Sequence, residues 1–274
     1  MAGATRAVLG IDAAWTDKNP SGVALAVELN GQWCLIRAEA SAAEFVMAAG
    51  ATATVQLQTQ TGLDAAALLS AAEQFCGIAP DIIAIDMPLS RKIIASRRSA
   101  DDAVSRKYGG RKCGTHSPNS SRPGKVGERM QRAFENAGYE LCVTEIRTPG
   151  LIEVYPHPAL LEMIGAEERL KYKVGKRWSY WPHDDPPSRR AKLMDVWAGI
   201  GAALERQIAG TEERLGEAFG FSVRELKARE DLIDAIVCCA VAVCALEGNA
   251  MPHGDNDAAI WIPAGKLQTA VATS

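Results

Sequence analysis

Apolar positions recur along this chain in two rhythms. Residues 6–13 form a near-continuous apolar run, the pattern of a strand buried on both faces, with Asp12 near its end. Ile82-Ile83-Ala84-Ile85 repeats the pattern and is tipped by Asp86. Two further β-rich runs, 22–29 and 32–37, flank Asn30-Gly31, a pair that suits the positive φ values of a tight hairpin. The chain therefore opens as three strands, with a polar loop at 17–21. The period then lengthens. Ser41 and Glu44 have capping-box spacing at the start of a short helix, and residues 63–76 predict a longer one closed by Gly77 and Pro80. A strand reached through a helix commonly pairs parallel with an earlier strand. If that partner is the first strand, Asp12 and Asp86 emerge at one carboxyl edge, where open α/β sheets place their sites.

Beyond the fourth strand the signals are shorter. Residues 151–155 predict a strand broken by Pro156-His157-Pro158, with Glu153, Tyr155 and His157 on one face. Helices are expected at 159–164 and 188–208, separated by an aromatic, basic loop at 171–187. Ser222 and Glu225 cap a helical region leading into 229–246, residues 259–263 predict an edge strand, and the last ten residues a frayed end. The whole is one α/β domain with a mixed sheet, antiparallel strands 1-2-3 and parallel strand 4, flanked by helices. An insertion occupies about 91–137 and a mainly helical elaboration about 159–227.

Charge changes this picture in one place. The chain carries −3 overall, yet residues 91–132 hold twelve basic residues against three acids, a local +9. Nucleic-acid phosphates are the expected partner for such a segment, through Arg98, Arg111, Lys112, His116, Lys125 and Arg129, without base specificity. Trp178, Tyr180 and Trp181 either stack on unpaired bases or close the core under a long loop. Seven cysteines form no CxxC pair, and three lie in the apolar run 235–246, as small buried hydrophobes in a reducing compartment. That run is too short to span a bilayer, and no leader is read in residues 1–6. A cytoplasmic protein without membrane contact is expected; the oligomeric state is not legible.

The chemistry rests on acids. Asp231 and Asp234, three apart, share a helical face above the apolar run 235–241. A local reading makes Asp231 an N-cap with Asp234 in the first turn. The other reading brings both to the edge where Asp12 and Asp86 converge, and such an oxygen-only set favours Mg²⁺ or Mn²⁺ over Zn²⁺. It can hold two ions about 3.5–4 Å apart that activate a water and stabilise a leaving oxygen. Glu153 is either a further ligand or water-orienting base, or a strand-edge partner of an arginine from the insertion. His157 assists proton transfer or makes a structural hydrogen bond, and His116 is a loop base or a solvated loop residue.

Gly-Ile-Asp (10–12), Ala-Ile-Asp-Met-Pro (84–88), Ile-Glu-Val-Tyr-Pro-His-Pro (152–158) and Asp-Leu-Ile-Asp-Ala (231–235) together resemble a family of predicted nucleases, domain of unknown function 429. The βββαβ order with these acids is similar to the ribonuclease H-like superfamily, in particular its Holliday-junction-resolvase branch. The resemblance implies a ribonuclease H-like fold and a metal site on Asp12, Asp86, Asp231 and Asp234, hydrolysing phosphodiester bonds of nucleic acid. Two other functions compete: an actin-like or sugar-kinase-like phosphotransferase, and a non-catalytic binding protein. The phosphotransferase needs a glycine-rich loop after the first strand, where Ala13-Ala14-Trp15-Thr16 stands instead.

Overall fold

The computed structural model describes residues 3–16, 19–50, 63–216 and 222–265. Part of the expected 17–21 loop and most of the expected frayed end lie outside these. Strands β1 (Ala4–Asp12), β2 (Gly22–Leu29) and β3 (Gln32–Glu39) form an antiparallel meander. Asn30 and Gly31 take φ of 52° and 80°, so the turn matches the strand twist as its sequence predicts. Helices α1 (Ala42–Ala48) and α2 (Ala65–Cys76) follow, with Ser41 and Asp64 side chains accepting the N-terminal amides. Strand β4 (Ile82–Ile85) then returns parallel to β1, Ile85 beside Ile11.

The insertion folds as α3 (Ser99–Tyr108) and α4 (Lys125–Asn136) around a connecting loop. Next come β5 (Glu140–Leu141), β6 (Gly150–Val154), α5 (Pro156–Ile164), the single-turn α6 (Arg177–Tyr180), α7 (Pro186–Glu205), α8 (Thr211–Gly216) and α9 (Val223–Leu246). The described chain closes with β7 (Ala250–Gly254) and β8 (Ala259–Pro263). The sheet order is β3-β2-β1-β4-β6-β8-β7, with β5 beside the start of β6, and its first five strands have the order and sense of a ribonuclease H-like sheet.

Three expectations are corrected here. Residues 259–263 are no edge: β8 is buried along its whole length between β6 and β7, and β7, which carries Pro252, is the outer strand. Pro156 does not break the chain into a loop but starts α5 at its first helical position, which puts His157 in a helix rather than in strand register. Nor does Asp231 cap a helix. Helix α9 starts eight residues earlier, at the reciprocal Ser222–Glu225 cap, so Asp231 and Asp234 lie inside it.

Strand alternation divides the core. Val8, Ala24, Ala26, Ile82, Ala84, Ile152 and Val154 pack under α9, α7 and α5, while Leu9, Ile11, Val23, Leu25, Ile83, Ile85 and Leu151 pack under α1, α2 and α4. Every residue from Glu230 to Ala245 of α9 is buried. Two glycines let this helix lie against the sheet. A Cβ at Gly10 would sit 2.2 Å from the Ala235 carbonyl oxygen, and one at Gly22 would sit 2.5 Å from that of Asp231. No helix among the described residues is long and apolar enough to cross a membrane.

Candidate functional site

Asp12 closes β1 on the same side as Val8 and Gly10, the side covered by α9. Asp86 follows β4 on the parity of Ile82 and Ala84, and its amide donates to the Ile11 carbonyl at 2.9 Å. Both acids therefore leave neighbouring parallel strands at one edge, facing the helix. Because α9 crosses at Gly10 and Gly22, Asp231 and Asp234 arrive at that edge from above. Asp234 is fully buried and Asp231 almost so, whereas Asp12 and Asp86 stay partly exposed.

The four acids differ in what neutralises them. Asp234 accepts from the Tyr172 hydroxyl at 2.7 Å on Oδ1 and is ion-paired through Oδ2 with the Lys173 ammonium, which also lies 3.6 Å from Glu230. Asp231 accepts from Lys227 at 2.5 Å, one helical turn earlier. Neither Asp12 nor Asp86 is ion-paired with a described residue. Burial pushes the Asp12 carboxyl well above its usual range, and the charges of Asp234, Asp86 and Asp231 push further, against the pull of Lys173. Burial likewise carries Asp86 up to about 7, with Asp234 adding to it and Lys173 opposing. Asp231 is raised by burial despite Lys227. Carboxylates that resist ionisation because they are buried, and in part because they face one another, create a local demand for positive charge.

Glu153 shows the opposite arrangement. Alternation along β6 turns Leu151 and Glu153 to the sheet face away from α9. There Arg98 binds Glu153 through both terminal nitrogens, at 2.5 and 2.7 Å, and Asp101 at 2.9 Å. Arg98 also donates to the Leu89 carbonyl at 2.7 Å, and the Leu89 amide donates to Glu153 at 2.7 Å. Of the two readings of Glu153, the geometry is that of the arginine pair. Arg98 is correspondingly removed from the surface, contrary to its expected role at phosphates. This network fixes the chain just beyond Asp86, and Gln131 of α4 clamps Ser90 through both its amide groups at 3.0 Å.

The remaining expected contacts scatter. Arg111 pairs with Glu162 of α5 at 2.9 Å and Lys112 with Glu168, so both dock the end of α3 on α5 and the segment that follows it. His116 is exposed on the connecting loop. His157 is buried between the rings of Tyr155 and Tyr172, with Nε2 2.5 Å from Arg169; burial, aided by Lys173 and Arg169, holds it well below its usual pKa. Lys125 and Arg129, with Arg132, are exposed on one face of α4, whose other face reaches the Met87–Pro88 turn at Gly127. Arg122 lies over the Trp15 ring, 5.5 Å from its centre. Tyr172, Lys173, Lys227 and Glu230 were not singled out in the sequence. Lys227 is legible as the i,i+4 partner of Asp231, while nothing in local spacing points to Lys173.

Among the described residues, no three His, Cys, Asp or Glu side chains are arranged as a ready-made metal cage. The donor set nevertheless fits a hard divalent cation. Mg²⁺ keeps several waters and is commonly bound through one or two carboxylates together with substrate phosphate oxygens. Asp12 and Asp86, all-oxygen donors without cationic partners among the described residues, are the two that could hold it.

Fold and site together define a mixed-sheet α/β protein with a carboxylate cluster at the carboxyl edge of its central strands. Residues 10–259 match the family model described as protein of unknown function (DUF429), and the chain belongs to that family. No curated protein and no solved structure matches it.

Proposed function

We propose that this protein is a divalent-metal-dependent nuclease of the ribonuclease H-like superfamily, hydrolysing phosphodiester bonds of nucleic acid in the cytoplasm. One observation carries the reading: Asp12 and Asp86 stand side by side at a sheet edge, surrounded by further acids, with no basic side chain among the described residues paired to either. Such a pair suits Mg²⁺ or Mn²⁺, which when bound would supply Lewis-acid activation of water and charge stabilisation at the phosphate. In this reading Asp12 and Asp86 hold the ion, and Asp231 sets the local field. Asp234 orients Tyr172 and Lys173 at the rim. The exposed basic face of α4, beside the turn that follows Asp86, holds the phosphate backbone.

A panel of single- and double-stranded DNA and RNA, incubated with Mg²⁺ and with Mn²⁺, tests this directly. Cleavage by the wild type and a loss of at least about 100-fold in Asp12→Asn are expected, because the variant removes a charge that only the loaded site needs. Equal cleavage by the two proteins would remove the proposal. Absence of any Mn²⁺ uptake would favour a binding protein on the same fold.

A further inference from the structure

The four aspartates at the sheet edge suggest room for two ions, yet the segment Tyr172-Lys173-Val174 already occupies the helix side of the cluster. Three contacts strap it to α9. The Tyr172 hydroxyl and the Lys173 ammonium take the two oxygens of Asp234, and the Val174 amide donates to Glu230 at 2.5 Å. From behind, the Trp197 indole of α7 donates to the Tyr172 carbonyl at 2.9 Å. The Lys173 side chain is largely buried, lies 3.6 Å from Glu230 and extends over the Tyr172 ring, 4.7 Å from its centre. This is a seated cation, held by two acids and an aromatic face, in place before any metal arrives.

We propose that Lys173 supplies the second positive charge of the site, so that the protein takes up a single divalent ion, on Asp12 and Asp86. The inference rests on the metal-dependent reading above. Its physical basis is exclusion as well as substitution. An ammonium bonded to the fully buried Asp234 repels a divalent ion that would share that carboxylate, and it cannot retreat without leaving Asp234 buried and without its cation. Lys227 does the same for Asp231 from the preceding turn of α9, though more exposed and therefore a weaker barrier. Asp12 and Asp86 are left as the free pair. The substrate class follows: a site that carries the Lys173 ammonium in addition to a single divalent ion favours a phosphodiester anion over a neutral ester or amide.

Counting Mn²⁺ ions on the full-length protein decides it, by titration calorimetry and by the spin resonance of unbound Mn²⁺. One ion per chain is expected for the wild type, one for Lys173→Arg, and two for Lys173→Gln, in which the cation is gone and its volume largely kept. Two ions on the wild type, or one on Lys173→Gln, would overturn the inference while leaving the nuclease reading intact. No ion on the wild type would overturn both. Should Lys173→Gln fail to fold, the wild-type count still separates one ion from two.

Discussion

Asp86 and Glu153 end or border neighbouring parallel strands, and the protein treats them in opposite ways. On the face away from α9, Glu153 and Asp101 share one buried arginine, whose remaining hydrogens go to a backbone carbonyl. Every charge there has a partner within 3 Å. On the α9 face neither Asp12 nor Asp86 is ion-paired with a described residue, and burial, with the acids around them adding to it, carries both above their usual range. The first region is organised as scaffold. Its ion pairs hold the turn after β4 and the start of α3, and their net worth against a well-packed apolar substitute would be small. In the second region Lys173 and Lys227 neutralise Asp234 and Asp231 but no described cation pairs with Asp12 or Asp86, and in the reading proposed above a bound ion supplies that charge. Two clusters of buried acid in one sheet thus differ in how far the described chain compensates them: fully around Arg98, and only at Asp231 and Asp234 on the α9 face.

Breaking the scaffold cluster should give the largest effect. Arg98→Met leaves Glu153 and Asp101 buried without their cation, and a loss of about 3–5 kcal/mol is expected from urea unfolding. A loss under about 1 kcal/mol would mean that the arginine is not what neutralises Glu153, and the contrast would collapse. A smaller but still clear loss, about 1–3 kcal/mol, is expected for Gly10→Ala. The added methyl would meet backbone atoms of Ala235 and Cys239 at 2.2 and 2.6 Å, so α9 itself must move. That shift separates Asp231 and Asp234 from Asp12, and Mn²⁺ affinity in the variant should fall with stability. Unchanged unfolding midpoints would show that the helix does not rest on β1 at that point.

Much of this architecture was legible from local rules. Asn30-Gly31 demands a tight hairpin, and the apolar run before Asp86 demands a buried strand. Asp12 and Asp86 at one edge then follow from the rule for strand–helix–strand connections. What escaped depends on contacts distant in sequence. Lys173 lies sixty-one positions from Asp234, in a loop whose aromatic and basic composition looks like surface, and only packing of Tyr172 under α7 turns it inward. Arg98 sits in the most basic stretch of the chain, so composition assigned it to phosphates; its burial depends on Glu153 facing the opposite side of the sheet from Asp86. Strand β7 was missed because Pro252 and Gly254 are poor strand formers, tolerated on an outer strand. The start of α9 was legible, in Ser222 and Glu225, but the acids inside the helix competed as a second cap signal.

The smallest effect expected is also the one with an unusual sign. Asp86→Asn should stabilise the metal-free protein at pH 8, by something on the order of 1–2 kcal/mol, where Arg98→Met destabilises it. Asp86 titrates at about 7 in the folded chain, burial being the main cause, against the ordinary carboxylate range when unfolded. A folded-state pKa raised in this way means that the native state holds its proton longer. The wild type keeps the associated stability below about pH 4 and loses it as pH rises through about 7, when Asp86 must ionise among other acids. Asparagine never ionises and so avoids that loss. The advantage of the variant should therefore grow from pH 5 to pH 8, read as the difference in unfolding midpoint between the two proteins. Saturating Mg²⁺ should reverse it, since the wild type gains binding free energy that the variant has surrendered. A variant less stable than the wild type at pH 8 without metal would show that Asp86, like Glu153, is compensated from within the chain.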